Sequence, residues 1–150
     1  MFQGQYVFSQ IINFIPRHEF NRFVEQYGGN QRVRNLDCRD QLLAMMFGQL
    51  TNLRSLRGIT ICLNAHANLL YHLGFKSNNF TLSTLTRANE NRDWKIYYDL
   101  AQLLIKQARQ LYLNDNDFKI ELDGAVYALD STIIELCFNT FKWAHYKLEK

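Results

Sequence analysis

Apolar residues recur every three or four positions along residues 5–113, the period of a helix with one buried face. In residues 5–15 they fall at Val7, Phe8, Ile11, Ile12 and Ile15. Pro16 stops that segment and can open the next at its first turn, where a missing N–H costs nothing. Phe20, Phe23, Val24 and Tyr27 repeat the period, and Gly28-Gly29 supplies a C-terminal stop. A third helix is expected over 38–50, with Asp37 as N-cap and Leu42, Leu43, Met46, Phe47 and Leu50 turned inward. Ser55 caps a fourth, carrying Leu56, Ile59, Cys62 and Leu63. Residues 67–79 are less regular and end in the loop Lys76-Ser77-Asn78-Asn79. A short helix over 83–90 and a long one over 93–113 follow. The long one has Ile96, Leu100, Leu103, Leu104 and Leu111 as its stripe, and Asp93 to accept its first amides.

After Asn114-Asp115-Asn116-Asp117 the period changes from helical to extended. Phe118-Lys119-Ile120-Glu121-Leu122 alternates, Asp123-Gly124 is a hairpin-type turn, and 125–134 is rich in β-branched and aromatic residues. The expected organisation is therefore mainly α: a multi-helix domain over 1–113, then a short β-hairpin within 114–150. A lone hairpin is marginal in water, so this one either docks on the helices or needs strands not in the chain.

Composition narrows the class. The 150 residues suit one domain, or one and part of a second. A hydrophobic share of 47% with 14% aromatics excludes intrinsic disorder, and one Pro excludes a Pro-rich linker. No run approaches a membrane span, and the first residues lack a secretory signal. Cys38, Cys62 and Cys137 lie far apart without a CxxC, which reads as reduced thiols in a cytoplasmic protein. The net charge of +3 conceals an asymmetry that the helical period does not show: residues 1–112 carry 13 basic and 7 acidic side chains, residues 113–150 carry 4 and 7.

Catalytic and metal motifs are sparse. His18, His66, His72 and His145 show no i, i+3 or i+4 pairing, and no HExxH, GxSxG, GxxxxGK or GxGxxG occurs. The basic part says more. Helix-turn-helix readers place the N-terminal part of one helix in the major groove while nearby Lys and Arg hold phosphates. Residues 81–92 fit such an element, presenting Ser83, Thr84, Arg87, Asn91 and Arg92 around an apolar stripe of Leu82, Leu85 and Ala88. Arg suits guanine edges and Asn adenine edges, since each makes paired hydrogen bonds. Arg32, Arg34, Arg54, Arg57 and Lys76 are the natural phosphate contacts. The competing reading makes all of these ordinary solvated faces and caps. Strand alternation also puts Asp130 on the same face as Val126 and Ala128, where a charge is costly unless paired or bound to a cation.

Five segments in order carry a resemblance: Gly4-Gln5-Tyr6-Val7-Phe8-Ser9-Gln10, Met46-Phe47-Gly48-Gln49-Leu50-Thr51, Tyr71-His72-Leu73-Gly74-Phe75, Arg87-Ala88-Asn89-Glu90-Asn91-Arg92 and Tyr127-Ala128-Leu129-Asp130-Ser131-Thr132. The sequence resembles bacterial insertion-sequence transposases of the IS-four type over nearly its whole length. The resemblance implies an N-terminal helical region that binds double-stranded DNA at terminal inverted repeats. It also implies a catalytic domain of ribonuclease-H-like α/β fold with an Asp-Asp-Glu triad. Asp130 matches the first of those carboxylates and would contact the catalytic Mg²⁺ ions.

The second Asp and the Glu of that family lie beyond position 150, so 114–150 is expected to be the truncated start of the catalytic domain. One carboxylate cannot preorganise two metals, and catalysis by this chain alone is not expected; nor is Mg²⁺ expected to bind it. A homo-oligomer or a full-length transposase is the natural protein partner, with no membrane involved. The alternative is a helical oligomerisation or interaction module without a DNA role.

Overall fold

The computed structural model describes residues 6–112, with side chains through Gln110. These lie in the first of the two units into which the chain divides, Met1–Asn114 and Asp115–Lys150. The expected hairpin, the ribonuclease-H-like segment, Cys137 and Asp130 fall outside the described residues.

Six α-helices and one 3₁₀ turn make up the described part, which holds no strand: α1 Val7–Ile12, α2 Arg17–Gln26, α3 Cys38–Leu50, α4 Leu56–Ala65, the turn Ala67–Leu69, α5 Leu82–Asn91 and α6 Lys95–Tyr112. The mainly helical expectation holds here, and the boundaries follow local chemistry. Asp37 caps α3 by accepting the Asp40 amide at 2.7 Å, and Ser55 caps α4 through the Gly58 amide at 3.0 Å. Asp93 accepts the Lys95 amide at 2.9 Å, so α6 starts two residues after its cap. Helix α1 is shorter than its periodicity suggests. Pro16 biases Ile15 away from the helical region, and the chain tightens into three-residue bonds such as Ile15 N–H to Ile12 C=O.

Two helix ends share one device. Gly28 takes a φ of +62° after α2, while the Gly29 amide reaches back to the Val24 carbonyl at 2.9 Å. Asn52 takes a φ of +56° after α3, and the Leu53 amide reaches the Gly48 carbonyl at 2.8 Å. Both closures satisfy carbonyls that the helix leaves bare, and both need a residue tolerant of left-handed backbone.

The core gathers Phe20, Phe23 and Val24 of α2 with Leu43 and Ala44 of α3, Ile59 and Leu63 of α4, Leu85 and Ala88 of α5, and Ile96 and Leu100 of α6. Burying each of the larger of these side chains contributes about 1.5–3 kcal/mol. Helices pack as α2 on α6, α3 on α4, and α5 against both α3 and α4. The α3–α4 approach depends on Gly48, where an added Cβ would lie 2.3 Å from Ile59 Cδ1. Leu50 corrects the expected inward set of α3: it is exposed, because the buried face of this helix runs through Cys38, Asp40, Gln41, Leu43, Ala44 and Gly48. Two polar residues thus occupy positions that an apolar pattern leaves unmarked.

Those polar residues organise the chain that leads to α5. Asp40 is 1% exposed, and its carboxylate accepts the amides of Lys76 at 3.0 Å and Ser77 at 2.8 Å. The Asn64 side chain accepts the Phe80 amide at 2.8 Å and donates to the Phe80 carbonyl at 2.7 Å. The irregular loop is therefore clamped at both ends, which fixes where α5 begins.

Candidate nucleic-acid interface

Helix α5 starts at a hydroxyl cap. Thr81 Oγ1 accepts the Thr84 amide at 3.3 Å and lies 2.7 Å from Thr84 Oγ1 and 3.3 Å from Ser83 Oγ. The hydroxyls of Ser83 and Thr84 are thus within reach of the cap as well as of an outside partner. Leu85 and Ala88 face the core as expected, and Thr84, Arg87 and Asn91, at i, i+3 and i+7, form the neighbouring stripe that borders Ala88.

Against that face lies the α2–α3 loop. Its path is set by Gly28, by a left-handed Arg32 with φ of +58°, and by Asn30, whose side-chain oxygen accepts the Cys38 amide at 2.8 Å. Arg32, Arg34, Thr84, Arg87 and Asn91 consequently line one open groove of about 550 Å³, in which Asp93 is the only acidic lining residue among the described residues. A second groove of about 420 Å³ adjoins it, lined by Arg34, Asn35, Ser77, Asn78, Asn79 and Thr84. Arg34, Asn35, Leu36 and Thr84 belong to both. Arg32, Arg34 and Arg87 are exposed and make no ion pair among the described residues.

The remaining residues singled out from the sequence divide sharply. Ser83 is exposed but lines neither groove; Arg54 and Arg57 are exposed at the start of α4 and also line neither. Lys76 is engaged, its ammonium 2.9 Å from Asp37 Oδ2. Burial alone would raise the Asp37 carboxyl, but the Asp40 amide, the Lys76 ammonium and the Arg39 amide outweigh it and hold the group below its usual range.

Arg92 is the clearest departure from expectation. It terminates α5 with an extended backbone, and its guanidinium turns inward. One terminal nitrogen donates to the Asp37 carbonyl at 3.0 Å and the Gln41 side-chain oxygen at 2.5 Å; the other donates to the Leu36 carbonyl. Gln41 also accepts from Tyr97 Oη at 2.7 Å, and burial pushes that phenol well above its ordinary value. Gln41 in turn donates to Asn89 at 2.5 Å. Arg92 lines the edge of the larger groove, but a guanidinium spent on two carbonyls and an amide is not poised for phosphate, so its part there is to support Arg87 and Asn91. The link 66–81 between α4 and α5 is likewise far longer than the roughly three- or four-residue turn of a helix-turn-helix. Asn35, Asn78 and Asn79 are groove residues that periodicity does not mark; the polar loop 76–79 signals the last two, and nothing in the sequence pattern signals Asn35.

Among the described residues no group of three or more His, Cys, Asp or Glu could hold a metal ion. Nor is any helix there long and apolar enough to cross a membrane.

Residues 3–76 match a protein family described as a domain of unknown function, DUF4372. The match spans α1 to α4 and the 3₁₀ turn, takes in Arg32 and Arg34, and ends before α5. Neither the curated proteins nor the solved structures yield a match.

Proposed function

We propose that the helical part binds double-stranded DNA, as the N-terminal region of a transposase of the Asp-Asp-Glu kind acting at terminal inverted repeats. The observation carrying this reading is the joint lining of one groove by Arg32 and Arg34 from the α2–α3 loop and Arg87 from α5. Three exposed guanidinium groups converge there with a single acidic neighbour, a set suited to successive phosphates or to a guanine edge. Asn91, on the same face as Arg87, has the donor and acceptor pair that an adenine edge requires. Asn35, Asn78 and Asn79 extend the polar lining beyond Arg34. In this reading Asp130 is the first of the three catalytic carboxylates, and Mg²⁺ is the cofactor of the complete triad.

Fluorescence anisotropy with duplexes taken from the DNA flanking the coding sequence, beside an unrelated duplex of equal length, tests the proposal. Wild type should bind with strong salt dependence, and each of Arg32→Ala, Arg34→Ala and Arg87→Ala should flatten the log–log salt slope by roughly one. Equal affinity and slope for wild type and the triple variant would remove the groove as the contact surface.

A further inference from the structure

We propose that the outward face of α6 docks an amphipathic helix with acidic flanks, contributed by a partner protein. Helix α6 buries Ile96 and Leu100 and half-buries Leu103 and Leu104 on the side packed against α2. On the other side Tyr98 at 51% exposure and Ile105 at 45% stay in solvent, as does Trp94 at 64%, one residue before the helix begins. Isolated exposed apolar residues are ordinary, but these share one stripe. With exposed Ala101 and Ala108 they fall at positions 94, 98, 101, 105 and 108, alternating steps of four and three. That spacing is the seam of a coiled coil, and it sets large residues beside small ones so that a second helix can approach closely at each alanine. The Trp94 and Tyr98 rings already meet edge to face, with centroids 5.5 Å apart, so the first turn of the seam is ordered in advance.

Charge selects the occupant. Lys95, Lys106 and Arg109 are exposed on α6. The single acidic residue of the helix, Asp99, is occupied on the α2 side, where it accepts from Tyr27 Oη at 2.7 Å. A second copy of this chain would set cations against cations, whereas a helix bearing Glu or Asp beside its seam would complement them. None of the seam residues lines the Arg32–Arg34–Arg87 groove, so this inference stands independently of DNA binding.

The experiment uses the full chain and labelled three-heptad peptides read by anisotropy. One peptide has Leu at the seam and Glu at the flanks, the second Leu with Lys flanks, the third Ser at the seam with Glu flanks. The first should bind at least about tenfold more tightly than either control. Ile105→Glu should weaken it by a similar factor while the melting temperature holds, since Ile105 is exposed. The double charge reversal Lys106→Glu with Arg109→Glu should move the preference to the Lys-flanked peptide. Equal binding of the Ser-seam peptide, an unaffected Ile105→Glu, or no binding of any peptide would overturn the proposal. So would a dimer in sedimentation that Ile105→Glu dissolves.

Discussion

Arg92 Nη1 and Gln41 Oε1 meet at 2.5 Å, joining the C-terminus of α5 to the second turn of α3. The same guanidinium satisfies the Leu36 and Asp37 carbonyls just before α3. Arg92→Ala removes all three bonds, but the Asp37 carbonyl keeps the Gln41 amide and Gln41 Oε1 keeps Tyr97 Oη, so only the Leu36 carbonyl loses its donor. Stability should fall by about 1–3 kcal/mol in urea denaturation followed by circular dichroism. Arg92→Lys should recover only part of this, because one ammonium cannot reproduce the planar fork. Loss of DNA binding by Arg92→Ala should track the unfolded fraction, unlike the loss caused by Arg87→Ala.

Asp40 makes a second point of tension. Its two oxygens face two amide donors, and Asp40→Asn forces one amide nitrogen against an N–H of Lys76 or Ser77. A cost of about 1–3 kcal/mol is expected. Hydrogen exchange should show early loss of protection in the segment leading to α5, ahead of α2 and α6.

Acid should act partly through Asp37. Its folded carboxyl titrates below the ordinary value of 3.8, so the stability it contributes is complete above about pH 4 and fades as pH falls through the folded value. Asp37→Asn keeps a capping oxygen but removes the titration. The fall in melting temperature below about pH 4 should therefore be shallower for Asp37→Asn than for wild type.

Arg39 gives a prediction of opposite sign. Its Nη2 is buried with no hydrogen-bond partner among the described residues, and burial, reinforced by Arg17, pushes the guanidinium below its usual value. Arg39→Met keeps the apolar stem and removes the orphan donor, so stability should hold or rise by about 1–2 kcal/mol. A clear loss in chemical denaturation would show that the charge is serving a partner.

The helix starts were legible wherever a single side chain decides them: Asp37, Ser55 and Asp93 each announce a cap, and each makes it. The α2 stop at Gly28-Gly29 was equally plain, because the left-handed turn there demands a residue of that kind. What periodicity could not convey is which polar residues face inward. Asp40, Gln41 and Arg92 look like solvated surface in the chain. Asp40 and Gln41 are buried, and Arg92 half-buried, because each finds a partner more than thirty residues away. The groove had the same difficulty: Arg34 and Arg87 are remote in sequence, and only the return of α5 alongside the α2–α3 loop brings them to one opening.

The polar seam from Asn89 through Gln41 to Arg92 and Tyr97 has a consequence for uniqueness. The Leu and Ala surfaces of α3 and α5 would survive a slide of one helical turn at modest cost, since apolar surfaces are forgiving of registry. Directional bonds are not. A slide would leave the half-buried guanidinium and the buried Gln41 amide without these partners. The seam therefore acts as an alignment key, admitting one registry of α5 against α3 and holding Arg87 beside Arg32 and Arg34.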